Sequence, residues 1–267
     1  MMAAGIAFLA GLLIGSFLNV CIYRMPRDLS VVCPRSYCPE CKAMIAWFDN
    51  IPLVSYILLH GKCRRCGARI PLRYPVVEVL TGLLFFAAVA ILGPNTAAVK
   101  LCVFAALMIG LMFSDLEQRI LPDEFTYGGA AIGIVLALVT PMEPGLAYVF
   151  IGPPWDGRWT SLAESLLGAF GATGILWFVG FLYEKVRHRS GLGFGDVKMI
   201  GTVGAFLGLH GALQTMIVGS LVGSIAGLIY IKATKKDYST YELPFGTFLG
   251  ISALVVAALR VLFAPAV

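Results

Sequence analysis

Windows of about 20 apolar residues recur along this chain, and each is long enough to cross a bilayer as a helix. In hydrocarbon every backbone N–H and C=O must find its partner inside the protein, so such a chain folds as a bundle of spanning helices. Only 13% of the 267 residues are charged and 59% are hydrophobic, about half the charged fraction of an ordinary soluble domain. Mean hydropathy is +0.86. The expected fold class is therefore all-α, a polytopic membrane protein with about eight transmembrane helices.

The expected spans are residues 4–23, 74–92, 97–114, 125–139 and 162–183, then the apolar run 197–231, then 243–263. The run 197–231 is too long for one crossing, and Gly208-Leu209-His210-Gly211 divides it into a short sixth span and a seventh. The first span has no basic region before it and no small-residue cleavage site, so it reads as uncleaved. Residues 140–163 form a Pro- and Gly-containing loop. The one long hydrophilic stretch, from Arg24 to Arg73, is too long for a plain connection and is expected to be a small folded insertion. The domains expected are 1–73, the first helix with this insertion, and 74–267, seven further helices. With the insertion in the cytoplasm and the spans alternating, seventeen of the twenty Lys and Arg fall on that side, leaving Lys100, Arg158 and Arg260. This asymmetry is the positive-inside pattern. The net charge of +5 therefore reports orientation in the membrane and contact with lipid, and calls for no nucleic-acid partner.

Four of the seven cysteines form two C-x-x-C pairs, Cys38/Cys41 and Cys63/Cys66, with 21 residues between them. Two such turns at this separation match a tetrahedral zinc site, and four thiolates leave no open position for a catalytic water. A structural zinc ion is expected. The competing reading is two disulfides, which a cytoplasmic location opposes. Cys33 is either a substitute ligand or a free thiol; Cys21 and Cys102 lie in apolar spans and read as small core residues. An insertion of this size buries little core, so a metal staple is physically sensible.

Two acids stand at span ends. Gly191-Leu192-Gly193-Phe194-Gly195-Asp196-Val197-Lys198-Met199 places Asp196 at the mouth of an apolar run behind three glycines. An ionised group in a membrane span costs several kcal/mol, which marks it as functional by default; the alternative is that Asp196 caps the following helix. Asp115 opens the bend that runs through Pro122-Asp123, and the alternating topology puts it at the same depth and face as Asp196. Two carboxylates at close range can share a proton, one acting as general base for water while the other donates to a carbonyl oxygen. That is aspartic-protease chemistry. A proton relay in a transporter and a zinc-bearing scaffold with merely structural acids remain open as other classes. Asp123 is the rival to Asp115, and Lys198 either acts on Asp196 or snorkels from a helix start.

The motifs, in order, resemble the type IV prepilin peptidases, a branch of the GxGD aspartyl peptidases. The matching stretches are Gly15-Ser16-Phe17-Leu18-Asn19-Val20 with Ile22-Tyr23-Arg24, Trp47-Phe48-Asp49-Asn50-Ile51-Pro52, and the two cysteine pairs. Arg73-Tyr74-Pro75 with Glu78, Asp115 with Pro122-Asp123, Gly193-Phe194-Gly195-Asp196-Val197-Lys198 and Leu243-Pro244-Phe245-Gly246 complete the set. The resemblance implies a bacterial inner-membrane enzyme that cuts the short basic leader from type IV prepilins or type II secretion pseudopilins. It further implies methylation of the new N-terminus with S-adenosylmethionine. In that family pattern Asp115 and Asp196 are catalytic, and Cys38, Cys41, Cys63 and Cys66 hold zinc. The methyl-transfer residues are expected within 1–75, where no glycine-rich strand-turn-helix is visible; Asp49, Asn50 and the nearby Glu78 are candidates, each also readable as a turn former or an interfacial acid.

Overall fold

The structure, a computed structural model, describes residues 1–143, 145–151, 157–188, 193–234 and 243–263. Gly191 and Leu192 of the glycine run and the basic positions Arg189, Lys235 and Lys236 lie outside the described residues. The described chain is helical, with two isolated antiparallel bridges, Tyr37 to Met44 and Lys62 to Arg69. Six described helices are long and apolar enough to cross a membrane, as a multi-pass membrane protein requires.

The chain divides into two compact units, Met1–Gly110 and Leu111–Val267. In the first, α1 (Met2–Arg24) packs on α3 (Arg73–Leu92). A Cβ at Gly11 would stand 2.7 Å from the Cα of Gly82, and one at Gly15 would stand 2.7 Å from the Cα of Glu78. The spacing Gly11-x-x-x-Gly15 thus brings two backbones into direct contact, the small-residue packing that membrane helices use where hydrophobic exclusion cannot help. Asn19 adds a polar tie, its Nδ2 donating to Gly15 O at 3.2 Å and to Tyr74 O at 3.0 Å. Between these helices lies the insertion, with the 3-10 turns Met25–Arg27 and Trp47–Asn50 and the short α2 (Val54–Leu58).

The third spanning helix, α4 (Thr96–Gln118), runs further than its apolar pattern suggests. Asp115 lies inside its last turn, and the chain leaves the helix at Arg119, where φ is +56°. Pro122 then sits at the N-cap of α5 (Asp123–Ala137) with an extended backbone, φ −60° and ψ 140°. That position suits a residue with no N–H to give a helix. At 15 residues α5 is short for a span. The stretch 140–163 holds helix as well as loop: α6 (Leu146–Ile151) and the beginning of α7 (Gly157–Leu166). A π-helical turn, Leu167–Gly171, joins α7 to α8 (Ala172–Arg187).

The long α9 (Phe194–Thr234) breaks at Gly208, where φ is 71° and ψ is 177°. Glycine reaches that region without strain. The packing of α10 (Phe245–Phe263) shows that the two halves run antiparallel. Gly227 meets Leu243, Gly223 meets Phe248 and Gly219 meets Leu249, whereas Gly250 near the start of α10 also meets Met199 of the first half. At the far end Arg260 donates to Leu207 O at 2.8 Å and to Gln214 Oε1 at 3.2 Å. The expected division at Gly208 is present; among the described residues it turns the six long apolar helices into seven, and the shorter α5 makes the eighth. The π turn meets the first half so closely that a Cβ at Gly204 would lie 2.1 Å from Gly168 O.

Candidate functional site

Asp115 is 6% exposed. Its Oδ2 accepts the backbone N–H of Thr247 at 2.7 Å and lies 3.0 Å from the Thr247 hydroxyl. The same hydroxyl lies 3.1 Å from Met112 O, so one proton serves two acceptors. Glycine is needed just before Thr247: a Cβ at Gly246 would stand 3.1 Å from Asp115 Cγ and 3.2 Å from Leu121 Cδ1. A Cβ at Gly195 would meet the same Leu121 methyl at 3.1 Å. Leu121 is therefore the wedge on which the starts of α9 and α10 converge, and the two glycines allow both to approach.

Asp196 is the third residue of α9 rather than its N-cap; Gly193 precedes the first turn, and its carbonyl accepts Asp196 N–H at 3.1 Å. The side chain folds back toward the helix start, since a Cβ at Gly193 would be 3.0 Å from Asp196 Oδ2. An acid in the first turn also faces the favourable end of the helix dipole. Gly246 packs on both Asp115 and Leu121, and the same Leu121 methyl packs on Gly195, the residue before Asp196, so the fold brings to one junction the two acids that the topology placed at one depth. On α4 near Asp115 in the chain, Ser114 Oγ and Gln118 Nε2 are buried with no hydrogen-bond partner among the described residues, polar atoms able to hold water or a peptide group.

Asp123, the rival acid, is committed elsewhere. Its carboxylate pairs with Lys198 Nζ, which also lies 5.3 Å from the Tyr127 ring centre and 5.5 Å from that of Phe194. Lys198 is thus a strap from α9 to α5. Thr247 is the residue that sequence reasoning missed; its signal was the turn Pro244-Phe245-Gly246-Thr247, which opens a helix with a hydroxyl.

In the insertion, the Sγ atoms of Cys38, Cys41, Cys63 and Cys66 all lie within 4.8 Å of one another. The two pairs are one turn built twice. Cys38 N–H donates to Ala43 O and Lys42 N–H to Cys38 O; Cys63 N–H donates to Ala68 O and Gly67 N–H to Cys63 O. Each turn ends in a left-handed residue, Lys42 at φ 57° and Gly67 at φ 71°. Cys38 and Cys66 are 3.8 Å apart at sulfur. A disulfide would need about 2.05 Å, whereas four thiolates at about 2.3 Å from one zinc ion stand about 3.8 Å apart. The residues fit a metal. The backbone N–H groups of Cys66 and Arg65 aim at Cys63 and hold its thiol below the ordinary range, while Cys66 beside it is pushed up by desolvation and the neighbouring sulfurs, so negative charge is shared within the cluster. Cys33 is exposed and outside this group.

Of the other candidates, Asp49 is held by Arg64 through two hydrogen bonds of 2.8 and 2.6 Å. Glu78 is buried and accepts Leu53 N–H at 2.9 Å. Both fasten the insertion: Asp49 ties one cysteine turn to the Trp47–Asn50 turn, and Glu78 ties the start of α2 to α3.

Two family descriptions match the chain: the Bacterial Peptidase A24 N-terminal domain over residues 9–92 and the Type IV leader peptidase family over 102–231. Among curated relatives, the prepilin leader peptidase/N-methyltransferase of Myxococcus xanthus is 39% identical over 86% of this chain, which spans 63% of that protein. The proteins of the same description from Neisseria gonorrhoeae and Aeromonas hydrophila are 31% and 30% identical. These alignments cover 95% and 94% of this chain, and 90% and 88% of those proteins. No solved structure matches the chain. The matches run through both the cysteine insertion and the helices that carry the carboxylates, and this chain belongs to the type IV leader peptidase family.

Proposed function

We propose that this protein is a membrane aspartyl endopeptidase that removes the basic leader of type IV prepilins or type II secretion pseudopilins. We further propose that it methylates the new N-terminus, as the names of its relatives describe for those proteins. The observation that carries the peptidase half is the convergence of Asp115 and Asp196 on one site between the starts of α9 and α10. The bias of Lys and Arg supports a bacterial inner-membrane location with this site and the insertion on the cytoplasmic side.

The chemistry follows from the two acids. One carboxylate takes a proton from water as the water oxygen attacks the carbonyl carbon of the scissile bond. The other, protonated, gives its proton to the carbonyl oxygen, and a gem-diol forms. On collapse the C–N bond breaks, the proton taken from water goes to the leaving amine, and the diol returns a proton to the second acid. Thr247 holds Oδ2 of Asp115 in place and leaves Oδ1 for water. Buried, pre-aimed donors of this kind need no rearrangement as charge develops.

Cys38, Cys41, Cys63 and Cys66 would hold a structural zinc ion that staples the insertion. The methyl donor, S-adenosylmethionine, supplies an electrophilic methyl group. Residues 1–73 would serve this second activity and 74–267 the peptidase. The test is incubation of membranes with a synthetic prepilin and methyl-labelled donor, scoring leader loss and label transfer separately. Loss of the leader without label would retain the peptidase and remove the methyltransferase; ion flux in liposomes with no cleavage would replace both with a proton relay.

A further inference from the structure

Two of the matching motifs serve neither the carboxylates nor the cysteines, and the fold joins them in one cavity. Ser16, Phe17, Val20 and Arg24 lie along one face of α1, and Trp47, Asn50 and Pro52 come from the turn between the cysteine pairs; all of them line a cavity of about 360 Å³. Val31, Arg35, Ser36 and Ile45 also line it.

This is a built site. Arg24, only 5% exposed, donates from Nη1 to Ser30 O at 2.8 Å and from Nη2 to Arg35 O at 3.3 Å. Two of the five guanidinium donors thereby fix the wall, and others remain for a ligand. Ile45 N–H donates to Ser36 O at 2.9 Å, which makes the first cysteine turn part of the cavity. Glu78 fastens Leu53 and hydrogen-bonds Ser16, which holds the Trp47–Pro52 wall against α1 and α3.

The lining selects a ligand class. Two arginines suit a carboxylate. Phe17 and Trp47 offer aromatic faces to a planar base and to a cationic sulfonium. Ser16, Ser36 and Asn50 offer donors and acceptors to ribose hydroxyls. The volume lies at the small end of small-ligand pockets, about 300–1,000 Å³, where a nucleoside-linked amino acid fits and a two-chain phospholipid does not. We infer that this cavity is the S-adenosylmethionine site, with Arg24 and Arg35 at the carboxylate and Trp47 and Phe17 at the adenosyl-sulfonium portion. The assignment rests on the methyltransferase half of the proposed function.

The test uses the full chain in lipid nanodiscs and measures equilibrium binding of labelled S-adenosylmethionine and of its demethylated product, with photo-crosslinking to locate the bound donor. Arg24 also holds its loop, so the informative variants are the exposed Trp47→Ala and Arg35→Glu, each checked for unchanged metal content and unfolding temperature. Each is expected to weaken donor binding at least tenfold, and the crosslink is expected within 31–36 or 45–52. Lys185→Ala, a charge change at an exposed position of α8, leaves binding unchanged. Wild-type binding that persists equally in both variants, or a phospholipid that crosslinks at Arg35 without competing with the donor, overturns the site. A wild-type protein that neither binds donor nor transfers label overturns the methyltransferase reading itself, and the site with it.

Discussion

The two units hold their functional groups by opposite means. In the first, an insertion with little core depends on four sulfur atoms and a few polar ties, and much of its apolar surface stays open: Trp47 is 73% exposed and Ile57 is 70% exposed. In the second, Asp115 and Thr247 are buried, and position is set by glycines that let backbones touch. A metal staple tolerates a thin core because its binding free energy is folding free energy. A carboxylate pair at a helix junction tolerates no such looseness, because misplacement by about 1 Å can cost about 100-fold in rate.

The largest expected effect tests the second unit. Asp115→Asn and Asp196→Asn should each lower leader cleavage by about 10³-fold or more, while methyl transfer to a pre-cleaved peptide persists; appreciable cleavage by either variant would make the acids structural. Next comes the staple. Chelation, or Cys38→Ser, should abolish methyl transfer and donor binding while cleavage falls by less than about tenfold, because a zinc shell of this kind contributes about 10–16 kcal/mol of apparent binding free energy. Equal loss of both activities would show that the units do not act separately.

Gly204→Ala asks whether backbone contact carries the second unit. The added carbon would stand 2.1 Å from Gly168 O, and overpacking of this kind costs about 1–3 kcal/mol, readable as a lower unfolding temperature in detergent. Thr247→Val keeps the backbone donor and removes the hydroxyl. One hydrogen bond of about 1 kcal/mol corresponds to about a fivefold drop in kcat with KM little changed. A change confined to KM would place Thr247 in substrate binding instead.

The smallest effect belongs to the pair Asp49–Arg64, whose guanidinium is exposed. The hydrogen-bonding guanidinium holds the Asp49 carboxyl below its ordinary 3.8. What the pair adds is therefore present above about pH 4 and disappears as acid protonates Asp49. Exposed pairs are weak, so Arg64→Ala should leave the unfolding midpoint at neutral pH unchanged within error. A large shift would mean that polar ties, and not the sulfur cluster, hold the insertion.

Much of this was legible before any coordinates. Helix number, the insertion, the break at Gly208 and the cysteine cluster follow from runs and spacings, which are local. The extent of α4 was not legible, because Asp115, Glu117 and Gln118 make its end polar enough to resemble a bend, yet these residues remain helical. Nor was the fate of Asp123: in the sequence it rivals Asp115, but α5 turns it to Lys198. The N-cap reading of Asp196 missed by three positions, since Gly193 occupies the place just ahead of the helix.

Composition and spacing alone establish that this chain spans a membrane, that four of its cysteines form two C-x-x-C pairs, and that two acids stand at the ends of apolar runs. Those are consequences of composition and periodicity, which hydrocarbon enforces without reference to distant residues. Tertiary structure alone decided that Thr247 holds Asp115 and that Leu121 wedges two helix starts between glycines. It also decided that Arg24 and Trp47 face one cavity. Each of these joins residues far apart in the chain through contacts that only close packing can select.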